Sequence, residues 1–356
     1  MLEPEVVPRI LALCPKGQGA CLFCGKEETM IQNPMDILSE FPVRKSKQQK
    51  AAFRDSVAAY VKNLGYDVKM EKGGFGSCNI VIGDSENAAY LVTAHYDTCA
   101  RLPFPNYLTP CSLPGFLFCQ VLQILFIAVV AVVMAIVEAL LIAGTATMLG
   151  NNLGDAWILF VGLALPTLTW INVIPVVLWM IIGPANKSNV NDNSSGIITL
   201  LEIAKSLPDN QRSKVCFVLF DLEEAGLIGA SSYRKTHKKA TDRQLVLNLD
   251  CLGDGNHILM IPTTKLKKDR KRLTSLHKVC GYFGKKSLLL KDKGFSVYPS
   301  DQRCFPYGVG ICALNKGKIG LYLSRIHTHR DTVLDMTNVN ILRAAIISYI
   351  CCNAAN

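Results

Sequence analysis

Two uncharged apolar runs, residues 115–137 and 156–183, interrupt the chain, and each exceeds the ~20 residues a helix needs to cross a bilayer. Core helices of soluble domains seldom stay uncharged over that length, because one face meets water. The runs therefore predict two membrane spans joined by Gly150-Asn151-Asn152-Leu153-Gly154-Asp155, whose glycines and asparagines suit a turn. Glu138 breaks the first run, yet apolar residues continue to Leu149, more than one untilted span needs. Pro166 and Pro175 predict kinks in the second, which membrane helices tolerate when neighbours satisfy the freed carbonyls.

An even number of spans leaves both flanking parts on one side of the membrane. Those parts hold every Lys and Arg, Arg101 and Lys187 flank the insert, and the connecting loop offers only Asp155. By the positive-inside tendency that side is expected to be cytoplasmic. The expected organisation is an N-terminal cysteine-containing segment (1–40), a discontinuous globular domain (41–112 and 184–356) and a transmembrane helical hairpin (113–183). The first residues are acidic and polar without a long apolar stretch, so no cleavable signal peptide is expected.

A net charge of +10 would suit a nucleic acid or an anionic membrane surface. Many of the basic residues, however, fall in short polar stretches (44–50, 235–239, 265–272) that read as solvated loops and helix faces, with no interleaved aromatics for base stacking. The lipid bilayer is the expected partner, and nucleic acid is not. Most of the 14 cysteines sit irregularly in apolar runs, as buried free thiols do, which favours a reducing compartment. Cys14, Cys21 and Cys24 form a C-x6-C-x2-C cluster, but no fourth ligand is evident for a structural zinc.

Outside the insert, helices are expected at 48–64, 196–206, 227–236, 270–282 and 339–351, and strands at 67–71, 79–82, 88–94, 214–220, 245–249, 311–314 and 320–323. The alternation predicts an α/β fold with a mixed, mostly parallel sheet flanked by helices. What the strands run into is more specific. The strand at 88–94 ends in His95-Tyr96-Asp97, that at 214–220 in Asp221-Leu222-Glu223-Glu224, that at 245–249 in Asp250, and the last leads to His327. Ligands of open α/β sheets bind beyond the carboxyl ends of the strands, so imidazoles and carboxylates converge on one crevice. Such a mixed donor set suits zinc, and cobalt or manganese less well. Two ions side by side call for a shared carboxylate; Asp192, just before a helix, is the candidate, and a plain helix cap is the alternative.

These residues also carry a resemblance. The stretches Val92-Thr93-Ala94-His95-Tyr96-Asp97-Thr98, Asn191-Asp192-Asn193-Ser194-Ser195-Gly196, Phe220-Asp221-Leu222-Glu223-Glu224-Ala225-Gly226-Leu227-Ile228-Gly229, Asn248-Leu249-Asp250 and Ile326-His327-Thr328 resemble the M28 family of zinc metallopeptidases. The resemblance implies two zinc ions, one held by His95 and Asp250 and the other by Glu224 and His327, with Asp192 bridging. It implies Glu223 as general base, Asp97 as the carboxylate that orients His95, and Asp301 and Phe305 near the substrate cleft. A free peptide N-terminus suits so acidic a cleft, so an aminopeptidase is expected. A carboxypeptidase, a single-zinc glutaminyl cyclase and a non-catalytic membrane scaffold are the alternatives. His329 sits beside His327 as a rival imidazole, and His237, His257 and His277 read as surface histidines.

Overall fold

Three largely apolar strands form the centre of the molecule: β3 (Tyr90–His95), β4 (Val215–Phe220) and β5 (Leu245–Leu249). They are buried on both faces, as parallel strands covered by helices must be. The computed structural model describes residues 30–102, 106–149, 183–318 and 320–353, and positions 163, 167, 171, 174, 175 and 177–179. Within it, β1 (Val68–Lys72), β2 (Cys78–Ile82), β6 (His257–Pro262), β7 (Gly281–Phe283), β8 (Lys286–Leu290), β9 (Gly308–Gly317) and β10 (Gly320–Tyr322) complete a ten-stranded sheet ordered β1-β2-β4-β3-β5-β9-β6-β8-β7, with β10 against β9. The central β4-β3-β5-β9 block is parallel, and antiparallel pairs extend it on both sides.

Helices α1 (Lys47–Asn63), α3 (Ser195–Ser206) and α6 (Met336–Cys352) cover one face, where Phe53, Val57, Ile197, Leu200 and Leu342 meet Val92, Phe217 and Leu247. On the other face Leu91, Val218 and Phe220 pack with Tyr233 of α4 (Ile228–Thr236) and with Phe305. Alternate residues of one strand thus reach opposite cores, the period-2 consequence of the pleat. Helix α1 begins at Ser46, whose hydroxyl accepts the Gln49 N–H while Gln49 caps back, a reciprocal capping box.

Several expectations change. Ile31 and Ile37 are buried in the main core, so the globular domain takes in residues before Phe41. Of the N-terminal segment, Cys14, Cys21 and Cys24 lie outside the described residues. Helix α5 (Arg270–His277) stops well before Tyr282, because Gly281–Phe283 turns back as β7 against β8, with Gly284 at φ 62 in the connecting turn. Residues 44–50 are not wholly solvated: the Arg44 side chain is fully buried and Lys50 nearly so. The described cysteines are all free.

Helix α2 (Leu113–Leu149) is continuous, and its stretch Leu113–Gly144 is long and apolar enough to cross a membrane, with only 6% of its most apolar window buried against the rest of the chain. At 1.5 Å per residue it exceeds the ~30 Å of a hydrocarbon core. The connecting loop and most of the second run lie outside the described residues; positions 163, 167, 171, 174, 175 and 177–179 are helical and exposed. Both stems of the insert are tied to the domain. Arg101 N donates to Pro184 O, Asn186 N to Cys99 O and Leu102 N to His327 O, each within 2.9–3.2 Å.

Candidate metal centre

Parallel registry aligns the ends of β3 and β4 (His95 opposite Phe220) and of β3 and β5 (Thr93 opposite Asn248), so His95, Asp221 and Asp250 leave the sheet at one level. Beyond that edge the chain must redirect side chains sharply. Leu222, Cys251 and His327 all take positive φ (56°, 57° and 61°), a conformation non-glycine residues hold only where their surroundings enforce it.

The crevice gathers the residues singled out in the sequence. His95 Nε2 lies 3.2 Å from Asp192 Oδ1 and 3.6 Å from Asp250 Oδ1. His327 Nε2 lies 3.1 Å from Asp192 Oδ2 and 3.3 Å from Glu224 Oε2. Asp192 therefore turns one oxygen to each histidine, with Asp250 on one side and Glu224 on the other. Ligand atoms of His95, Asp192 and Glu224 fall within 4.8 Å of one another, as do those of His95, Glu223 and Asp250. His95, Asp192 and Asp250 are buried, and Glu223, Glu224 and His327 are half-buried. His329 is exposed and is not among the clustered ligand atoms.

Asp192 is not a helix cap. Its backbone N–H and that of Asn191 donate to the two oxygens of Asp331, at 3.0 and 2.7 Å. Around it, Asn191 Oδ1 accepts the Gly253 N–H, Asn193 Nδ2 donates to Leu249 O, and Ser195 Oγ accepts the Leu252 N–H. The polar run 191–195 is thus stitched to the chain that carries Asp250. Gly196 is demanded by that stitching, since a Cβ there would lie 2.5 Å from Leu249 O. Gly229 plays the same part for the acidic loop: its Cβ would meet Asp221 O at 2.2 Å.

Asp97 also reaches the acidic loop. Its carboxylate accepts the Glu223 and Glu224 N–H groups (3.0 and 3.2 Å), whereas its nearest oxygen stands 3.6 Å from His95 Nδ1, beyond hydrogen-bond reach. The contact to Nδ1 comes from Asp97's own carbonyl, at 3.2 Å. Asp97 thereby fixes the acidic loop as well as facing the imidazole. Phe305 is 2% exposed and stacks on Phe220 at 5.9 Å. Asp301 is fully buried, and neither of its carboxylate oxygens has a hydrogen-bond partner. Of the remaining histidines, His237 is buried between Glu71 and Glu86 rather than lying on the surface, His257 bonds Ser287, and His277 faces Asp292.

Burial and mutual charge govern the protonation of the cluster. Burial pushes Glu224 up to about 8, helped by the charge of Asp192 and opposed by His327. Burial and neighbouring carboxylates likewise lift Glu223 and Asp301 well above the usual range, although His95 pulls both down. Burial would lower His327, but Glu224 and Asp192 outweigh it and raise the imidazole to about 9. His95 follows the same pattern: burial is overcome by Glu223 and by contacts with Asp192, Asp250 and Asp97. Asp192 sits below the carboxylate range because two histidines outweigh its burial. Glu224 Oε1 and Asp250 Oδ1 have no hydrogen-bond partner. Buried carboxylates in mutual repulsion, with orphaned oxygens facing imidazoles, form a donor set that fits divalent cations of the zinc type.

Two supporting residues escape a sequence reading. Asp331 is one. The other is Arg44, whose guanidinium donates to Tyr96 O, Phe41 O and Ser194 Oγ. Burial lowers its pKa to about 10 even though Asp97 and Asp192 favour its charge.

Comparison with known proteins finds similarity in sequence and in fold. A fungal relative, a probable leucine aminopeptidase 2 of Aspergillus oryzae, is 41% identical over 76 residues, which cover 20% of this chain and only 15% of that protein. Among solved structures, the fold resembles a glutaminyl cyclase of Porphyromonas gingivalis (TM-score 0.54, 14% identity, 90% of this chain and 96% of that one). It also resembles the LapA aminopeptidase of Legionella pneumophila (0.52, 13%, 96% and 78%) and a Zn-dependent exopeptidase of Parabacteroides distasonis (0.51, 14%, 89% and 94%). Residues 180–349 match the model of Peptidase family M28, so this part of the chain is similar to that family.

Proposed function

We propose that the protein is a membrane-anchored exopeptidase that uses two zinc ions, or cobalt or manganese in their place, to release N-terminal residues from peptides. The observation that carries this reading is Asp192, with one oxygen toward His95 and Asp250 and the other toward His327 and Glu224. His95 and Asp250 would hold one ion, Glu224 and His327 the other, and Asp192 both. When bound, such ions supply Lewis-acid polarisation of a carbonyl and acidify a water.

The chain's own residues supply the proton traffic. Glu223, beside His95 and Asp250, takes a proton from the water that attacks the peptide carbonyl and returns it to the departing amine nitrogen. Asp97 holds both glutamates through their backbone N–H groups, which fixes the base relative to the ligands. The surplus of carboxylates, with Asp301 behind them, favours a substrate that presents a protonated amine.

In this reading residues 113–183 form a two-span hairpin that splits the catalytic domain and keeps it on the cytoplasmic surface. The bonds from both stems to the His327 loop support a crevice close to the bilayer, where the substrates would be peptides released at, or partly embedded in, the membrane. Metal content per purified chain tests the chemistry. A value near two is expected; one would favour a glutaminyl cyclase-like enzyme, and none a non-catalytic scaffold.

A further inference from the structure

On the outer side of the loop that carries His327 lies a second cavity, of about 670 Å³, distinct from the acidic crevice. His327 turns inward to Asp192 and Glu224, while Arg325, His329 and Arg330 of the same loop line this cavity. Its other walls are the two stems of the apolar insert: Arg101 and Tyr107 on the incoming side, Trp179 on the outgoing side. The Trp179 indole N–H donates to Arg101 O at 3.2 Å, joining the stems.

The charge is one-sided. Arg325 faces Asp254 at 3.5 Å, but the guanidinium groups of Arg101 and Arg330 have no carboxylate partner among the described residues, and both residues are exposed. Trp179 and Tyr107 are also exposed, at 50% and 41%, and stand where apolar helix gives way to polar domain. Such aromatics belong at headgroup depth, and arginines beside them meet lipid phosphates there. Phosphate is also the anion that a guanidinium fork matches best.

We propose that this cavity binds the phosphate of an anionic lipid headgroup and so holds the His327 loop against the membrane surface. The stem carries the effect inward, because Leu102 N donates to the carbonyl of His327 at 2.9 Å. The proposal rests on the membrane reading above and is tested so that the two can fail separately.

Full-length protein, freed of lipid in detergent, would be titrated with phosphatidylglycerol, phosphatidylcholine or inorganic phosphate and bound molecules counted by native mass spectrometry. One phosphatidylglycerol per chain is expected, with phosphatidylcholine and free phosphate binding far more weakly. Arg101→Gln with Arg330→Gln should weaken it roughly thirtyfold, about fivefold for each arginine near an anionic surface. Arg101→Lys with Arg330→Lys should recover part of the loss. Lys271→Gln with Lys278→Gln, at a basic cavity by the amino ends of β3 and β5, should leave binding unchanged. Equal binding of both lipids, displacement by free phosphate at the same affinity, or an unaltered arginine variant would overturn the proposal. So would a variant that keeps its lipid but raises KM only for acidic peptides. Alkaline carbonate extraction separates the readings: protein released into the supernatant refutes the membrane anchor itself, whereas retained protein without lipid preference refutes only the pocket.

Discussion

Asp331 touches no predicted ligand side chain through its own, yet it holds Asp192 by the backbone, through N–H bonds of 2.7 and 3.0 Å from Asn191 and Asp192. Burial and the charge of Asp192 push its carboxyl up to about 7, against the pull of those two bonds. Asp331→Asn keeps the shape but leaves one carbonyl oxygen, so one backbone N–H then faces an amide NH2. A hydrogen bond to a charged group is worth about 1.5–3 kcal/mol, and the residue is 1% exposed, so water cannot readily replace it. If that loss appears as misplacement of Asp192 in the transition state, kcat falls about 10- to 100-fold, at about 1.4 kcal/mol per tenfold. The assay is steady-state hydrolysis of an aminoacyl substrate by detergent-solubilised protein, with metal content measured on the same samples. The expected result is a lower kcat with KM and bound metal near wild type. Wild-type kcat in Asp331→Asn would refute the positioning role, and loss of metal in proportion to activity would show a role in ion retention instead.

Lys50→Met strands the buried Asp221 carboxylate, now 2.8 Å from Lys50 Nζ, and should cost about 3–5 kcal/mol, a drop in melting temperature of about 6–20 °C. Gly229→Ala drives a methyl into Asp221 O, and a loss of activity larger than the loss of stability is expected, because the displaced segment leads directly to Glu223 and Glu224. For metal-stripped protein the pH dependence has a definite sign. Glu224 is raised from 4.5 to about 8 and His327 from 6.5 to about 9, so the folded state keeps protons the unfolded chain has released. Their stabilising contribution is complete below the unfolded values and is lost as pH rises through 8 and 9. Chelated protein should therefore melt lower at pH 9 than at pH 6 by differential scanning fluorimetry, and zinc should restore more stability at pH 9, because ligation releases those protons.

The parallel core was legible because Tyr90–His95, Val215–Phe220 and Leu245–Leu249 are short apolar runs that end abruptly in ionisable residues. The same abruptness singled out His95, Glu223, Glu224 and Asp250, which lie at or just beyond the strand ends. Asp331 and Arg44 were not legible, since each acts on backbone groups from a distant part of the chain, a contact that leaves no local pattern. Arg44 and Lys50 stood in a basic stretch that read as solvated, and only the fold reveals that Arg44 is completely enclosed and that Lys50 faces Asp221. His237 was hidden in the same way between Glu71 and Glu86. Periodicity also failed at 278–282, where the polar helix gives way to a hairpin that depends on a glycine turn.

The most direct test is hydrolysis of a matched panel of free and N-acetylated peptides by full-length protein, with and without zinc, beside Glu223→Gln. Zinc-dependent release of N-terminal residues that is abolished by N-acetylation and reduced by several orders of magnitude in Glu223→Gln is the predicted result. Cleavage of acetylated peptides at the same rate, or a Glu223→Gln enzyme as active as wild type, would contradict it.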